Sequence, residues 1–210
     1  MSRLDAAALT RARRDLARRD PALGAWIRHL GPVEIRRRGS HFTALARALI
    51  AQQLSNKAAA TIITRCFAHF ERPHRPTPEE MLALGSDELR AAGVSRQKED
   101  YLRALAEAFV DGPLARVRFS TLEDEAIVER LVAIKGIGRW TAEMFLLFAL
   151  ARPDVFAEGD LALRRGIERL EGRGALTPAE CGRVAERWRP WRSVASLYLW
   201  RIAHAEDEPA

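Results

Sequence analysis

Two glycines one residue apart, Gly136 and Gly138, and an aspartate, Asp160, behind the loop Ala151 to Gly159, are the residues whose types and spacing best fit chemistry. The run Leu131-Val132-Ala133-Ile134-Lys135-Gly136-Ile137-Gly138-Arg139-Trp140-Thr141-Ala142 reads as an apolar helix end, a tight turn and the opening of a new helix. The first amides of a helix lack intrahelical acceptors, and a Cβ at either glycine would crowd both the turn and an approaching anion, so the turn suits a phosphate oxygen. Lys135 and Arg139 add positive charge beside it. A bare Gly-x-Gly is weak evidence, but its place between two helices is the setting a phosphate grip needs. Asp160 follows Trp140 by twenty residues and stands where it can do chemistry on whatever that grip presents. The plainer reading of Asp160 is an N-cap of the helix running toward Leu170.

The elements that must position these residues read as helices throughout. Apolar residues recur at helical spacing, and no run of alternating β-branched residues appears, so an all-α fold is expected. The spacing predicts helices over, among others, His41 to Gln53, Asn56 to Phe70, Lys98 to Phe109, Glu123 to Val132, Arg139 to Leu150, Asp160 to Leu170, Pro178 to Trp188 and Ser193 to Ala205. Thr77-Pro78-Glu79-Glu80, Thr177-Pro178-Ala179-Glu180 and Ser86-Asp87-Glu88 put a hydroxyl just before acidic residues, as helix caps do. Gly31 to Arg38 is expected to be extended, with Pro32 breaking the helix before it.

A net charge of +6 and a pI near 10.1 favour polyanionic partners over acidic ones. The arginines cluster at Arg11, Arg13, Arg14, Arg18 and Arg19, at Arg36 to Arg38, and at Arg164 and Arg165; the first cluster reads equally as a solvated helix face. Cys66 and Cys181 stand apart, with no CxxC spacing, which argues against a structural zinc, an iron–sulfur cluster or a disulfide framework. Met1 to Asp20 is charged throughout, and the longest apolar stretch, Met144 to Ala151, is too short to span a bilayer. A soluble cytoplasmic protein without membrane association is the expectation.

Four blocks resemble the helix-hairpin-helix DNA glycosylase superfamily, and within it the bacterial DNA-3-methyladenine glycosylase II group. They are Ala51-Gln52-Gln53-Leu54-Ser55, Gly136 through Ala142, Asp154-Val155-Phe156 through Asp160, and Trp188-Arg189-Pro190-Trp191-Arg192-Ser193 through Trp200. The resemblance implies two helical lobes, residues 35–152 ending in the helix-hairpin-helix and residues 1–34 plus 153–210 carrying the aspartate, with an active-site cleft between them. It implies a monomer that binds double-stranded DNA, associates with the nucleoid through it, and excises alkylated purines in base excision repair. Strand-cleaving members place a lysine where this chain has Trp140, which cannot form a Schiff base, so a monofunctional enzyme without AP-lyase activity is implied.

Residue by residue, the resemblance makes Asp160 the catalytic anion and places Trp140 and Trp200 around the base pocket. Ordinary core packing is the competing reading for both tryptophans. Met144 falls where relatives carry an aromatic pocket residue, a departure that bears on the breadth of base recognition. Gln53 is the wedge by position and Leu54 by apolarity. Gly136, Ile137, Gly138, Lys135, Arg139 and Thr141 are expected to meet the DNA backbone. No cofactor is implied; a sodium or potassium ion on the carbonyls of Val132, Ile134 and Ile137 is. Trp188 and Trp191 read as scaffold. The alternatives are a non-catalytic helix-hairpin-helix DNA-binding protein, for which Asp160 would be idle, and a superfamily glycosylase for another damaged base.

Overall fold

Helical periodicity in the sequence becomes helix nearly everywhere in the computed structural model, which describes residues 3–35 and 39–209 and contains no strand among them. In chain order the helices are α1 (Ala6–Arg19), α2 (Pro21–Leu30), α3 (His41–Ala51), α4 (Asn56–Phe67), α5 (Pro78–Ala83), α6 (Ser86–Ala91) and α7 (Arg96–Val110). They continue with α8 (Asp124–Val132), α9 (Arg139–Met144), α10 (Leu161–Glu171), α11 (Pro178–Ala185) and α12 (Arg192–Ala203). The all-α expectation holds. Arg36 to Arg38, one of the basic clusters and the end of the expected extended segment, lie outside the described residues.

Several boundaries differ from the sequence expectation for identifiable reasons. The helix expected to run to Leu150 stops at Met144 and continues as a π-helical turn, Phe145–Ala149, an insertion into helical bonding that periodicity alone does not announce. Ala151 closes it in a left-handed conformation (φ 55°). α3 ends at Ala51 rather than Gln53, and the helix expected to reach Trp188 tightens into a 3₁₀ turn at Glu186–Trp188. Ser86 is not a cap: Gly85 occupies that position, its amide donating to Glu88 at 2.7 Å, and the Ser86 hydroxyl instead donates to Glu99 at 2.6 Å. The capping boxes at Thr77 and Thr177 form as expected.

The chain divides into two compact units, Arg37–Phe145 and Met1–Arg36 with Leu146–Ala210. In the first, α7 turns Leu102, Leu105 and Ala106 inward against α3, whose Leu45, Leu49 and Ile50 are fully buried. In the second, α10 and α12 meet backbone to backbone. A Cβ on Gly166 would lie 2.3 Å from the Leu199 carbonyl oxygen, so only glycine permits this approach.

A buried carboxylate binds the N-terminal helices of that second unit to its C-terminal end. Asp20, 7% exposed, caps α2 through the Leu23 amide (3.0 Å) and accepts the Trp188 indole N–H (2.8 Å) and the Arg187 guanidinium (2.9 Å). Trp188 is fully buried, and Trp191 donates its indole N–H to Asp15 at 3.1 Å, so both tryptophans act as scaffold. Asp20→Ala removes a helix cap and orphans a buried indole donor, and is expected to destabilise the protein by about 2–4 kcal/mol in urea unfolding. Asp20→Asn keeps the cap and should cost less. Equal losses for the two variants would contradict this assignment.

Candidate nucleic-acid interface and catalytic carboxylate

In the unit Arg37–Phe145, α8 ends in a tight turn in which the Ile134 amide bonds to the Leu131 carbonyl and the Ile137 amide to the Ile134 carbonyl at 3.1 Å. Gly136 adopts φ 92°, and a Cβ there would lie 2.3 Å from the Tyr101 ring, so glycine is required both by the backbone and by its neighbour. Gly138 differs. It is extended (φ −89°, ψ 169°), and a Cβ on it would meet no atom within 4 Å. The expectation that both glycines are demanded by the turn is thus corrected: Gly138 leaves open space outside the protein. Its carbonyl accepts the Ala142 amide, which starts α9.

The cations beside the turn are engaged by carboxylates. Arg139 is bidentate on Glu125 (2.8 Å to each oxygen) and reaches Glu143 at 3.2 Å, while Lys135 pairs with Asp100 at 3.0 Å. The hydrogen bond from Arg139 holds the Glu125 carboxyl below its ordinary range, and the same pairing raises the guanidinium further. Arg139 therefore secures the start of α9 to α8, a role the sequence reading did not give it. Thr141 is 4% exposed with its side chain turned inward, so any contact it makes with a DNA backbone falls to its main chain. Ile134 and Ile137 also bury their side chains, leaving their carbonyls as the groups with any ligand role. Among the described residues no group of three His, Cys, Asp or Glu could hold a metal.

The junction after α3 is held by Lys98 and Gln52, to which the sequence reading gave no role of their own. Gln53 is exposed with φ 57°, a left-handed conformation costing a non-glycine residue ~1–2 kcal/mol, and Leu54 beside it is 37% exposed. Behind them the Lys98 ammonium donates to the carbonyls of Ile50 (2.6 Å) and Gln52 (2.8 Å). A cation there meets the last carbonyls of α3, which have no helical partner. Burial pushes the Lys98 amine below its usual range. The Gln52 side-chain amide donates to the Gly136 carbonyl at 3.0 Å, joining this junction to the hairpin turn.

In the unit containing Leu146–Ala210, Asp160 is 8% exposed and caps α10, one oxygen accepting the amides of Ala162 (2.8 Å) and Leu163 (2.9 Å). The loop before it is pinned to the start of α12. Arg192 donates to Asp154 at 2.8 Å, and the Ser193 hydroxyl accepts the Val155 amide (2.9 Å) while donating to the Arg152 carbonyl (2.6 Å). Trp200, half-buried, stacks on Phe148, with ring centroids 5.8 Å apart and planes at 22°. Phe148 is 39% exposed and was not singled out from sequence, although it stands four residues after Met144. Trp140 (49% exposed) and half-buried Met144 belong to the other unit. Tyr198 is core, its hydroxyl donating to the Gly31 carbonyl.

Residues 46–190, which include the hairpin and Asp160, match the family described as HhH-GPD superfamily base excision DNA repair protein. DNA-3-methyladenine glycosylase 1 of Schizosaccharomyces pombe is 38% identical over 165 residues, covering 78% of this chain and 72% of that protein. The solved structure of the Schizosaccharomyces pombe 3-methyladenine DNA glycosylase in complex with abasic DNA matches with a TM-score of 0.84 at 32% identity, covering 95% of this chain and all (100%) of that one. The DNA-3-methyladenine glycosidase of Bacillus halodurans matches with a TM-score of 0.82 at 34% identity, covering 95% and 93%. The matches agree in family and in fold, and the residues of the family match include the turn, the junction and the carboxylate. This chain belongs to the HhH-GPD superfamily of base excision DNA repair proteins.

Proposed function

We propose that this protein is a monofunctional DNA glycosylase that flips alkylated purines of the 3-methyladenine type out of double-stranded DNA and hydrolyses their N-glycosidic bond. The observation that carries this reading is the Asp160 carboxylate, nearly buried, aimed by two amides, and set on a loop tied to α12 at four residues. A simple cap is worth about 1 kcal/mol at the surface and calls for neither the burial nor the pinned loop.

Purines alkylated at N3 or N7 are cationic and leave readily, so the enzyme needs little acid catalysis. Extruding the base costs a few kcal/mol, less when the pair is damaged. Trp140 and Trp200 offer aromatic faces to the cationic base, worth ~0.5–2 kcal/mol, with Phe148 supporting Trp200 from its stacked position. Gln53 and Leu54, exposed on their strained turn, fill the gap left behind. The open side of Gly138 lets a phosphate approach the backbone.

As the C–N bond breaks, its electron pair leaves with the base, neutralising it, and the sugar gains oxocarbenium character that Asp160 stabilises. Water then bonds to the anomeric carbon and loses a proton to Asp160 or solvent. Trp140 offers no amine for a covalent sugar adduct, so the product strand keeps an intact abasic site. No cofactor takes part. A sodium or potassium ion fits the carbonyls of Val132, Ile134 and Ile137, since the Ile134 oxygen retains a lone pair beyond its bond to Ile137. The protein acts as a monomer.

Duplexes each bearing one lesion, scored for free base, abasic sites and borohydride-trapped complexes, test the reading. Release of 3-methyladenine with uncleaved abasic strands and no trapped complex is expected. Release of neutral 8-oxoguanine without 3-methyladenine would overturn it.

A further inference from the structure

The turn that displays Gln53 and Leu54 is held from behind by two side chains, and both lead to the hairpin. Lys98 gives two hydrogen bonds to carbonyls on either side of Ala51, at Ile50 and Gln52, immediately before the left-handed Gln53. Gln52 gives its side-chain amide to the carbonyl of Gly136. Tyr101, three residues after Lys98 and so on the same face of α7, lies against Gly136 on its Cα side. Its hydroxyl accepts the Gln97 side-chain amide at 2.6 Å. One face of α7 thus supports the junction through Lys98 and the hairpin through Tyr101, while Gln52 bridges the two directly.

A residue held in a sparsely populated backbone conformation keeps it only where its surroundings over-determine it. Here the surroundings are few and nameable. The Leu54 amide returns to the Ala51 carbonyl at 3.2 Å, and Ser55 caps α4 through the Ala58 amide at 3.3 Å; these bonds are local and would survive a swing of the turn as a whole. Lys98 and Gln52 tie it to distant parts of the unit. Gln53 itself is exposed.

We propose that Lys98 and Gln52 are positioning residues that lock the turn bearing Gln53 and Leu54 to the hairpin, so that gripping the DNA backbone and filling the gap behind a flipped base are performed by one rigid piece. The proposal rests on the reading of Gln53 and Leu54 as the wedge. Its consequence is specific: loosening the lock impairs extrusion of a base that must be unpaired, and spares chemistry on a base already out of the stack.

The test compares excision of one alkylated base from a fully paired duplex and from an otherwise identical duplex in which the lesion sits in an unpaired bubble. Lys98→Met keeps the aliphatic stem and loses both donated bonds. It is expected to lower the ratio of duplex to bubble excision about tenfold, with Lys98→Arg restoring much of the ratio. Gln52→Ala, which removes a single bond, should lower the ratio about threefold and carries the test if Lys98→Met fails to fold by circular dichroism. Equal losses on both substrates would overturn the proposal, because general structural damage does not discriminate between them. An unchanged ratio in these variants, with a lowered ratio in the double variant Gln53→Ala, Leu54→Ala, would also overturn it while leaving the wedge reading intact. An unchanged ratio in that double variant would remove the wedge reading itself, and the proposal with it.

Discussion

Asp160→Asn is expected to lower base release by about a hundredfold or more, the scale on which a fixed group stabilising transition-state charge acts, while duplex affinity stays the same or rises. The substitution isolates charge from structure. Asparagine caps helices as well as aspartate does, and its side-chain oxygen can accept the same two amides, at Ala162 and Leu163, that now fix the carboxylate. The loop is held independently through Asp154, Val155 and Arg152, so its course should not change. What disappears is a negative charge opposite a developing cation, and with it a local repulsion toward the phosphates. Single-turnover release of free base and anisotropy of a labelled duplex measure the two effects separately. Turnover within about threefold of the parent would leave Asp160 as a cap and nothing more.

Gly136→Ala and Gly138→Ala should separate strongly, although only one residue lies between them. At Gly136 the new methyl meets left-handed strain at φ 92° and overlaps the Tyr101 ring, so a loss of about 2–3 kcal/mol in stability is expected, together with roughly tenfold weaker binding to undamaged duplex. Tyr101→Ala in the same chain should recover the part due to overlap but not the part due to φ, which a double-mutant cycle resolves. At Gly138 the backbone is extended and the added methyl meets no protein atom within 4 Å, so stability should barely change. DNA affinity should still fall, because the methyl occupies the space through which a phosphate reaches the amides. Similar stability losses in both variants would contradict the turn geometry.

Features set by near neighbours in sequence were legible in it. Helical periodicity gave the all-α class, the capping boxes at Thr77 and Thr177 announced two helix starts, and glycine flanked by helices marked the turn. Asp160 stood out by type and place, and it proves to be a cap, so the proposed chemical role would use the atoms of the plain reading. Features that depend on remote partners were not legible. Asp20 meets Trp188 across 168 positions, and no local pattern points from one to the other. Gln53 leaves α3 where Lys98 and the Gln52 side chain make bonds to remote partners, although periodicity would have continued the helix.

Some signals were present and unread. Lys98 shares a helical face with Leu102 and Leu105, which are fully buried, so a lysine there had to find acceptors indoors. Thr141 stands one turn before buried Phe145 and follows it inward. Glu125, fourteen residues before Arg139, was a candidate partner that charge counting alone did not connect.

The unit that carries Asp160 is assembled from both ends of the described chain, with the whole of Arg37–Phe145 between them. During synthesis, at roughly 5–20 residues per second, the hairpin-bearing unit is complete while α1 and α2, packed on each other, still lack α10 and α12. Asp20 stays in water until Arg187 and Trp188 have been made, and Leu4 until the Ala151 carbonyl that accepts its amide exists. On the proposed reading, a nascent chain therefore has the turn that would hold a phosphate before the unit around Asp160 is closed, and order of synthesis separates DNA gripping from base release until α12 is made.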